Sequence, residues 1–294
     1  MFYYEMMGIE KYYFLFALAF IWIVIACVQD LRRHEVDNWL NFSLIAFALA
    51  YRAFYSSYAS DFMFFVYGAL GFALFFGLAN LFYYSGVFAG GDAKLLMGLG
   101  VVLPFFGFMD YAYVGFGFVM LLFFVGAIYS LIYSAFLVAG NYKKFASEFG
   151  KNIGTRKNWI LASIFALVFV IFIYSLFGID LLVMVFGVLF AVFVFFLLAY
   201  AKSLEVCMIK LVSAKDLTEG DWLVKDIRLN KGIIKKTVHG LSLGDIVKLR
   251  RNGRKVLIKE GIPFTPAFLI AFVIMVFFLA VSGFEFSSLL AFLS

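Results

Sequence analysis

Charge, proline, cysteine and histidine are all scarce in this chain. Charged residues make up 14% of its 294 residues, with 3 Pro, 2 Cys and 2 His, whereas a water-soluble domain carries about 25% charge. With 65% hydrophobic residues and 42 Phe, a single soluble core and a disordered chain are both excluded. Two lone cysteines, Cys27 in an apolar run and Cys207 in a polar segment, exclude a disulfide scaffold and give no zinc-ligand spacing. No Ser/His/Asp arrangement and no HExxH helix is visible, His34 and His239 being the only histidines.

What the chain has is long apolar runs. Uncharged stretches cover Tyr12 to Val28, Phe62 to Gly91, Tyr111 to Tyr142, Asn158 to Ile179, Leu181 to Ala201 and Gly261 to Phe284, most of them near or beyond the roughly 20 residues a helix needs to cross the hydrocarbon layer. Two shorter runs are Trp39 to Tyr51, with Arg52 at its far end, and Leu95 to Met109, interrupted by Pro104. Barrel strands would alternate in polarity over about ten residues, which these runs do not. The expected fold is therefore an all-α polytopic membrane protein of about eight transmembrane helices. No small-residue cleavage site follows the first run, which is expected to be a retained helix.

Lys and Arg near span ends concentrate on the cytoplasmic side. With eight spans, every basic residue except Lys11 and Arg52 falls on one side, which places both termini outside. The net charge of +6 then meets anionic lipid and requires no nucleic acid. Between Lys202 and Ile262 the composition changes: Gly220-Asp221, Asn230-Lys231-Gly232, His239-Gly240, Gly244-Asp245 and Asn252-Gly253 punctuate short runs at Trp222–Val224, Ile227–Leu229 and Val256–Ile258. Such turn signals predict a small β-rich cytoplasmic domain inserted before the last helix. The expected division is a transmembrane peptidase domain over 1–201, the β-rich domain over 202–262, and a last helix and tail over 263–294, the tail from Glu285 lying along the outer interface.

Most of the 18 acidic residues fall in loops, where a solvated face explains them. Two do not. Asp30 directly follows the first run, and Asp92 follows Gly90-Gly91 ahead of Ala93-Lys94. The topology brings both to the cytoplasmic side although 62 positions separate them. The Gly-Gly pair admits left-handed or crowded backbone and lets a peptide come close, and Asp92 suits the N-cap of the following helix. Two carboxyl groups held together share a proton, because like charges push one pKa up and the other down. One ionised and one protonated acid is the apparatus for hydrolysing an amide with water. Glu35 and Asp37, neighbours of Asp30 in a charged loop, are expected to be solvated.

At these residues the sequence resembles the archaeal class III signal peptidases, the preflagellin and prepilin peptidases, which are GxGD aspartyl proteases related to the bacterial type IV prepilin peptidases. Gln29-Asp30-Leu31-Arg32-Arg33 with Val36-Asp37-Asn38 resembles their first element, and Ala89-Gly90-Gly91-Asp92-Ala93-Lys94-Leu95-Leu96-Met97-Gly98-Leu99-Gly100 the second. Ala89 stands where the family has its first glycine, and Asp37 where bacterial relatives commonly have proline. The resemblance covers residues 12 to about 140, and beyond them only Ile262-Pro263-Phe264-Thr265-Pro266 is loosely similar. It implies catalytic roles for Asp30 and Asp92, motif or substrate-binding roles for Gly90, Gly91 and Lys94, no metal and no cofactor. It also implies cleavage of a basic leader from prepilin or preflagellin precursors at the cytoplasmic face of the cell membrane. Arg32, Arg33 and Lys94 are expected to hold lipid headgroups or the orientation of the acid pair.

Two rivals were weighed. The presenilin and signal-peptide-peptidase group shares the Gly-x-Gly-Asp idea but expects Tyr-Asp and Pro-Ala-Leu, where this chain has Gln29-Asp30 and Pro266-Ala267-Phe268. An ion-coupled transporter would place carboxylates in mid-bilayer and show internal repeats, and no duplicated pattern is present.

Overall fold

A computed structural model describes residues 2–154, 156–177, 181–229, 232–237, 240–253 and 255–281. The expectations placed on His239 and on the tail from Glu285 lie outside the described residues. The chain divides into two compact units, one built from residues 1–131 and 262–294, the other from 132–261.

In the first unit the helices are α1 (Phe2–Arg33), α2 (Asn38–Tyr58), α3 (Phe62–Tyr84), α4 (Gly90–Val102) and α11 (Thr265–Val281). It also holds α5 (Phe108–Asp110), a π-helical turn over Tyr111–Phe116 and the start of α6 (Gly117–Gly140). Each helix buries one stripe and turns large apolar side chains such as Phe14, Phe47, Phe76 and Phe124 outward, the pattern of a surface that meets lipid. On α1 the stripe runs Tyr12, Leu15, Ala19, Ile23, Ala26. The same three- and four-residue spacing carries it to Asp30, so periodicity alone turns that carboxyl into the bundle.

Helix α4 differs from the rest in being buried on nearly every side, from Asp92 through Val102. It lies against α2 and α3. The α3 crossing is close enough that a Cβ on Gly100 would sit 2.5 Å from the Phe75 Cβ and 2.7 Å from the Gly71 carbonyl oxygen. With 13 residues it is about 20 Å long, well short of a hydrocarbon layer of about 30 Å.

Each of the eight apolar runs overlaps a helix among the described residues. Among the described residues, however, only three helical stretches are long and apolar enough to cross a membrane, Glu10–Arg33, Phe62–Tyr84 and Phe108–Gly140. The count of eight spans is not established by them. Arg52 departs from its expected place at an aqueous boundary. α2 continues past it to Tyr58, and its side chain is fully buried. The guanidinium donates to the carbonyls of Val101 at 2.7 Å, Phe64 at 2.7 Å and Leu103 at 2.9 Å and lies over the rings of Tyr12 and Phe64. Gly68 leaves the space for it, since a Cβ there would collide with the Arg52 side chain.

The second unit takes up the end of α6, then α7 (Tyr142–Gly154), α8 (Arg156–Phe177) and α9 (Leu181–Leu204). α7 was not foreseen. Phe145 and Phe149, one turn apart, pack with Tyr200, Leu204 and Cys207, and lysines occupy its other positions. Beyond α9 a three-stranded antiparallel sheet has the order β1 (Ile209–Val212), β5 (Val256–Lys259), β2 (Trp222–Leu223), and β3 (Ile227–Leu229) pairs with β4 (Gly232–Ile234). The expected runs at Trp222, Ile227 and Val256 are thus strands. Gly244-Asp245 and Asn252-Gly253 are not hairpin turns but the two ends of α10 (Leu243–Asn252). Ser242 caps its start by accepting from the Asp245 amide, and Gly253 closes it at φ 63°, the left-handed conformation that glycine adopts without a Cβ penalty.

Candidate active site

Asp30 and Asp92 are brought to one place by the ends of two helices. Asp30 occupies the last turn of α1, where Arg32 and Arg33 complement the negative end of the helix dipole. The helix stops at His34, whose amide donates to the Asp30 carbonyl at 2.8 Å and whose φ of 54° is a conformation side chains rarely take. The chain reverses over Glu35 and Val36 into α2, and the reversal is clamped. Gln29 donates from Nε2 to the Asp37 carboxylate at 3.0 Å while its Oε1 accepts the Asp37 amide at 3.0 Å. Trp39 donates to the same carboxylate. Asp37 is therefore a bonded element of the turn, not a merely solvated acid.

Asp92 lies three positions deeper in its helix than the N-cap expected for it. Ala89 is the N-cap of α4, with Gly90, Gly91 and Asp92 forming its first turn. At the third helical position of α4, the nearby Ala89 backbone lowers the Asp92 pKa in part. Neither Gly90 nor Gly91 has a positive φ, so the expected left-handed backbone is absent and the pair is plain helix. What Gly91 supplies is proximity: a Cβ there would lie 3.4 Å from the Val36 Cβ, which brings the first turn of α4 against the reversal after α1.

Both carboxyls are buried, Asp30 at 8% exposure and Asp92 at 9%. Asp92, which lies outside the three spanning stretches, is pushed up from its ordinary 3.8 to about 7, first by burial and then by the negative charge of Asp30. Asp30 has a partner the sequence reading did not assign. At the first residue of α11, Thr265 donates to Asp30 Oδ2 twice, from its hydroxyl at 2.8 Å and its backbone amide at 3.1 Å.

Asn41 of α2 was also missed. It is 1% exposed, points Nδ2 at the Gly91 carbonyl oxygen at 3.5 Å and has a buried Oδ1 with no partner. The available signals were weak, a lone amide inside the apolar run from Trp39 and a Thr-Pro pair opening a helix. Lys94 donates to Asn38 Oδ1 at 2.5 Å and lies over the Phe42 ring, tying the second turn of α4 to α2. The arrangement holds one acid whose proton is favoured by its surroundings and a second that accepts two hydrogen bonds from Thr265.

The type IV leader peptidase family matches residues 17–136. Preflagellin peptidases are among the similar curated proteins. That of Methanocaldococcus jannaschii is 33% identical over 89 residues, which is 30% of this chain and 38% of that protein. That of Methanococcus maripaludis is 31% identical over 93 residues, 32% of this chain and 40% of the relative. That of Methanococcus voltae is 27% identical over 97 residues, 33% and 41% of the two chains. The match spans about two fifths of the length of these relatives. No solved structure matches the chain. Residues 17–136, the stretch that carries Asp30 and Asp92, are similar to the type IV leader peptidase family.

Proposed function

We propose that this protein is a membrane-embedded aspartic endopeptidase that removes the basic class III signal peptide from prepilin or preflagellin precursors at the cytoplasmic boundary of the membrane. The observation that supports the reading is that Asp30 and Asp92, remote in sequence, are both buried, and that burial first and the charge of Asp30 second raise the pKa of Asp92. The relatives' names, preflagellin peptidase, support the same activity.

The chemistry follows from the pair. The ionised carboxylate takes a proton from water as the water oxygen bonds to the scissile carbonyl carbon, and the protonated carboxyl gives its proton to the carbonyl oxygen. The carbon–nitrogen bond then breaks as the first acid passes its proton to the nitrogen, and a hydroxyl of the intermediate returns one to the second. Atoms balance as amide plus water to acid plus amine, and the pair ends as it began. Gly91, Gly90 and Lys94 line the approach as motif residues, and a leader rich in Lys and Arg is drawn to the acidic groups Asp30, Glu35, Asp37 and Asp92.

The test is a processing assay with purified protein in detergent and a pilin-like precursor. The wild type is expected to shorten the precursor by its leader, and Asp30→Asn or Asp92→Asn each to abolish cleavage while the protein still inserts in membranes. Cleavage at full rate by either variant would overturn the acid pair. An ion-coupled transporter would shorten no precursor, and a presenilin-like protease would cut within the precursor's hydrophobic segment.

A further inference from the structure

We infer that Thr265 is a positioning residue that fixes Asp30 as the ionised member of the pair, the one that activates water, and so leaves Asp92 as the member that carries the proton. The inference rests on the peptidase reading above and deepens it by assigning the two roles.

The geometry is one-sided. Both donors of Thr265 converge on Oδ2 of Asp30, and no described residue donates to Oδ1. Two donors on one oxygen favour the anion and fix the carboxylate plane, the backbone amide being able only to donate. The remaining oxygen is left for water. The backbone amide belongs to the opening turn of a 17-residue helix, where amides lack helical acceptors and the helix dipole favours negative charge. Pro266 at the next position has no amide to compete for the carboxylate. Asp92 has no matching donor set. Among the described residues it receives no such pair of donors, and its surroundings favour the proton.

Other groups near Asp30 have identifiable contacts, and Arg32 and Arg33 share its helical turn. Cys27, one turn back on α1, interacts with both Asp30 and Thr265. His34 meets Asp30 through its backbone amide. On the α2 side Asp37 is taken up by Gln29 and Trp39, and on the α4 side Lys94 is taken up by Asn38. The first turn of α11 holds no acidic residue.

The experiment compares Thr265→Val, which keeps shape and amide but loses the hydroxyl, with Thr265→Ser, which restores it. With the full-length protein in detergent and a pilin-like precursor, Thr265→Val is expected to lower kcat about 10- to 100-fold, the loss of one hydrogen bond to a charged oxygen. KM should stay within about twofold, and the acid-side fall of kcat should move to higher pH. Thr265→Ser should recover both rate and profile. A Val variant that melts like wild type and keeps its kcat and pH profile would overturn the inference, as would a Ser variant no better than Val.

A second readout needs no activity. In Asp92→Asn protein, infrared titration of the remaining buried carboxyl should show more protonated Asp30 at a given pH when Thr265→Val is added. An unchanged titration overturns the assignment. If the wild type cuts no precursor, the peptidase reading falls while the infrared comparison still decides what Thr265 does.

Discussion

The two ends of α4 bury charge in opposite ways. At its C-terminal end Arg52 is enclosed completely, yet its guanidinium donates to three carbonyls and lies near two aromatic rings. At its N-terminal end Asp92 is almost as deeply enclosed and faces the like charge of Asp30. A buried ion whose capacity is filled is a structural joint, because every rearrangement leaves carbonyls without donors. A buried acid short of partners and set beside another is poised to exchange protons. Burial alone does not separate the two cases. The accounting of partners does.

The sharpest break in this comparison is Asp92→Asn. Processing activity should disappear, and stability should move the other way. Because the folded protein holds the Asp92 carboxyl near 7 instead of 3.8, it favours the protonated form. The contribution of this group is fullest below the unfolded value and is lost as pH rises through about 7. The Asn variant should therefore gain on the wild type at pH 8 but not at pH 4, by at most about 4 kcal/mol. Melting in detergent at the two pH values checks this, and equal differences would show that Asp92 is not held protonated. In the wild type, kcat/KM should decline above pH of about 7 as the proton is lost.

Next in size is Arg52→Met, which fills the space but abandons three buried carbonyls. Denaturant melts should show a loss of about 3–5 kcal/mol, and a loss under 1 kcal/mol would mean that water replaces the guanidinium. Gly100→Ala should cost about 1–3 kcal/mol, because its methyl would press on Phe75 and on the Gly71 carbonyl, which is backbone and cannot swing aside. Smallest is Gly91→Ala. Its methyl meets Val36 at 3.4 Å, so stability should change by less than about 1 kcal/mol. Any large loss of activity there would then report obstruction of the precursor and not damage to the fold.

Much of this was legible in the sequence, for reasons that can be named. Apolar runs at helical length locate the membrane helices because lipid leaves the backbone no other partner. The spacing from Tyr12 to Asp30 determines which way the acid faces. The two acids announce themselves as charges at the edges of apolar runs. Arg52 was misread because a lone arginine at the end of such a run ordinarily reaches for water. Its real partners are carbonyls some 50 residues away in sequence, which composition does not reveal. α10 was hidden because its capping residues, Ser242 and Gly253, are also turn residues, and only the spacing of Ile246 and Leu249 separates the two. α7 was not foreseen although Phe145 and Phe149 are a helical turn apart. Thr265 was unreadable for the plainest reason: a short neutral side chain carries no signal until the fold brings it 235 positions back to Asp30.

That last distance bears on how the protein is made. The acids emerge early in synthesis, whereas the helix that clasps one of them is nearly the last part of the chain to be translated. At 5–20 residues per second, a nascent chain would hold both acids for roughly ten seconds or more before Thr265 arrives. The contact between Thr265 and Asp30 is thus absent from unfinished copies, and a message cut short before α11 would yield a protein with an unclasped acid.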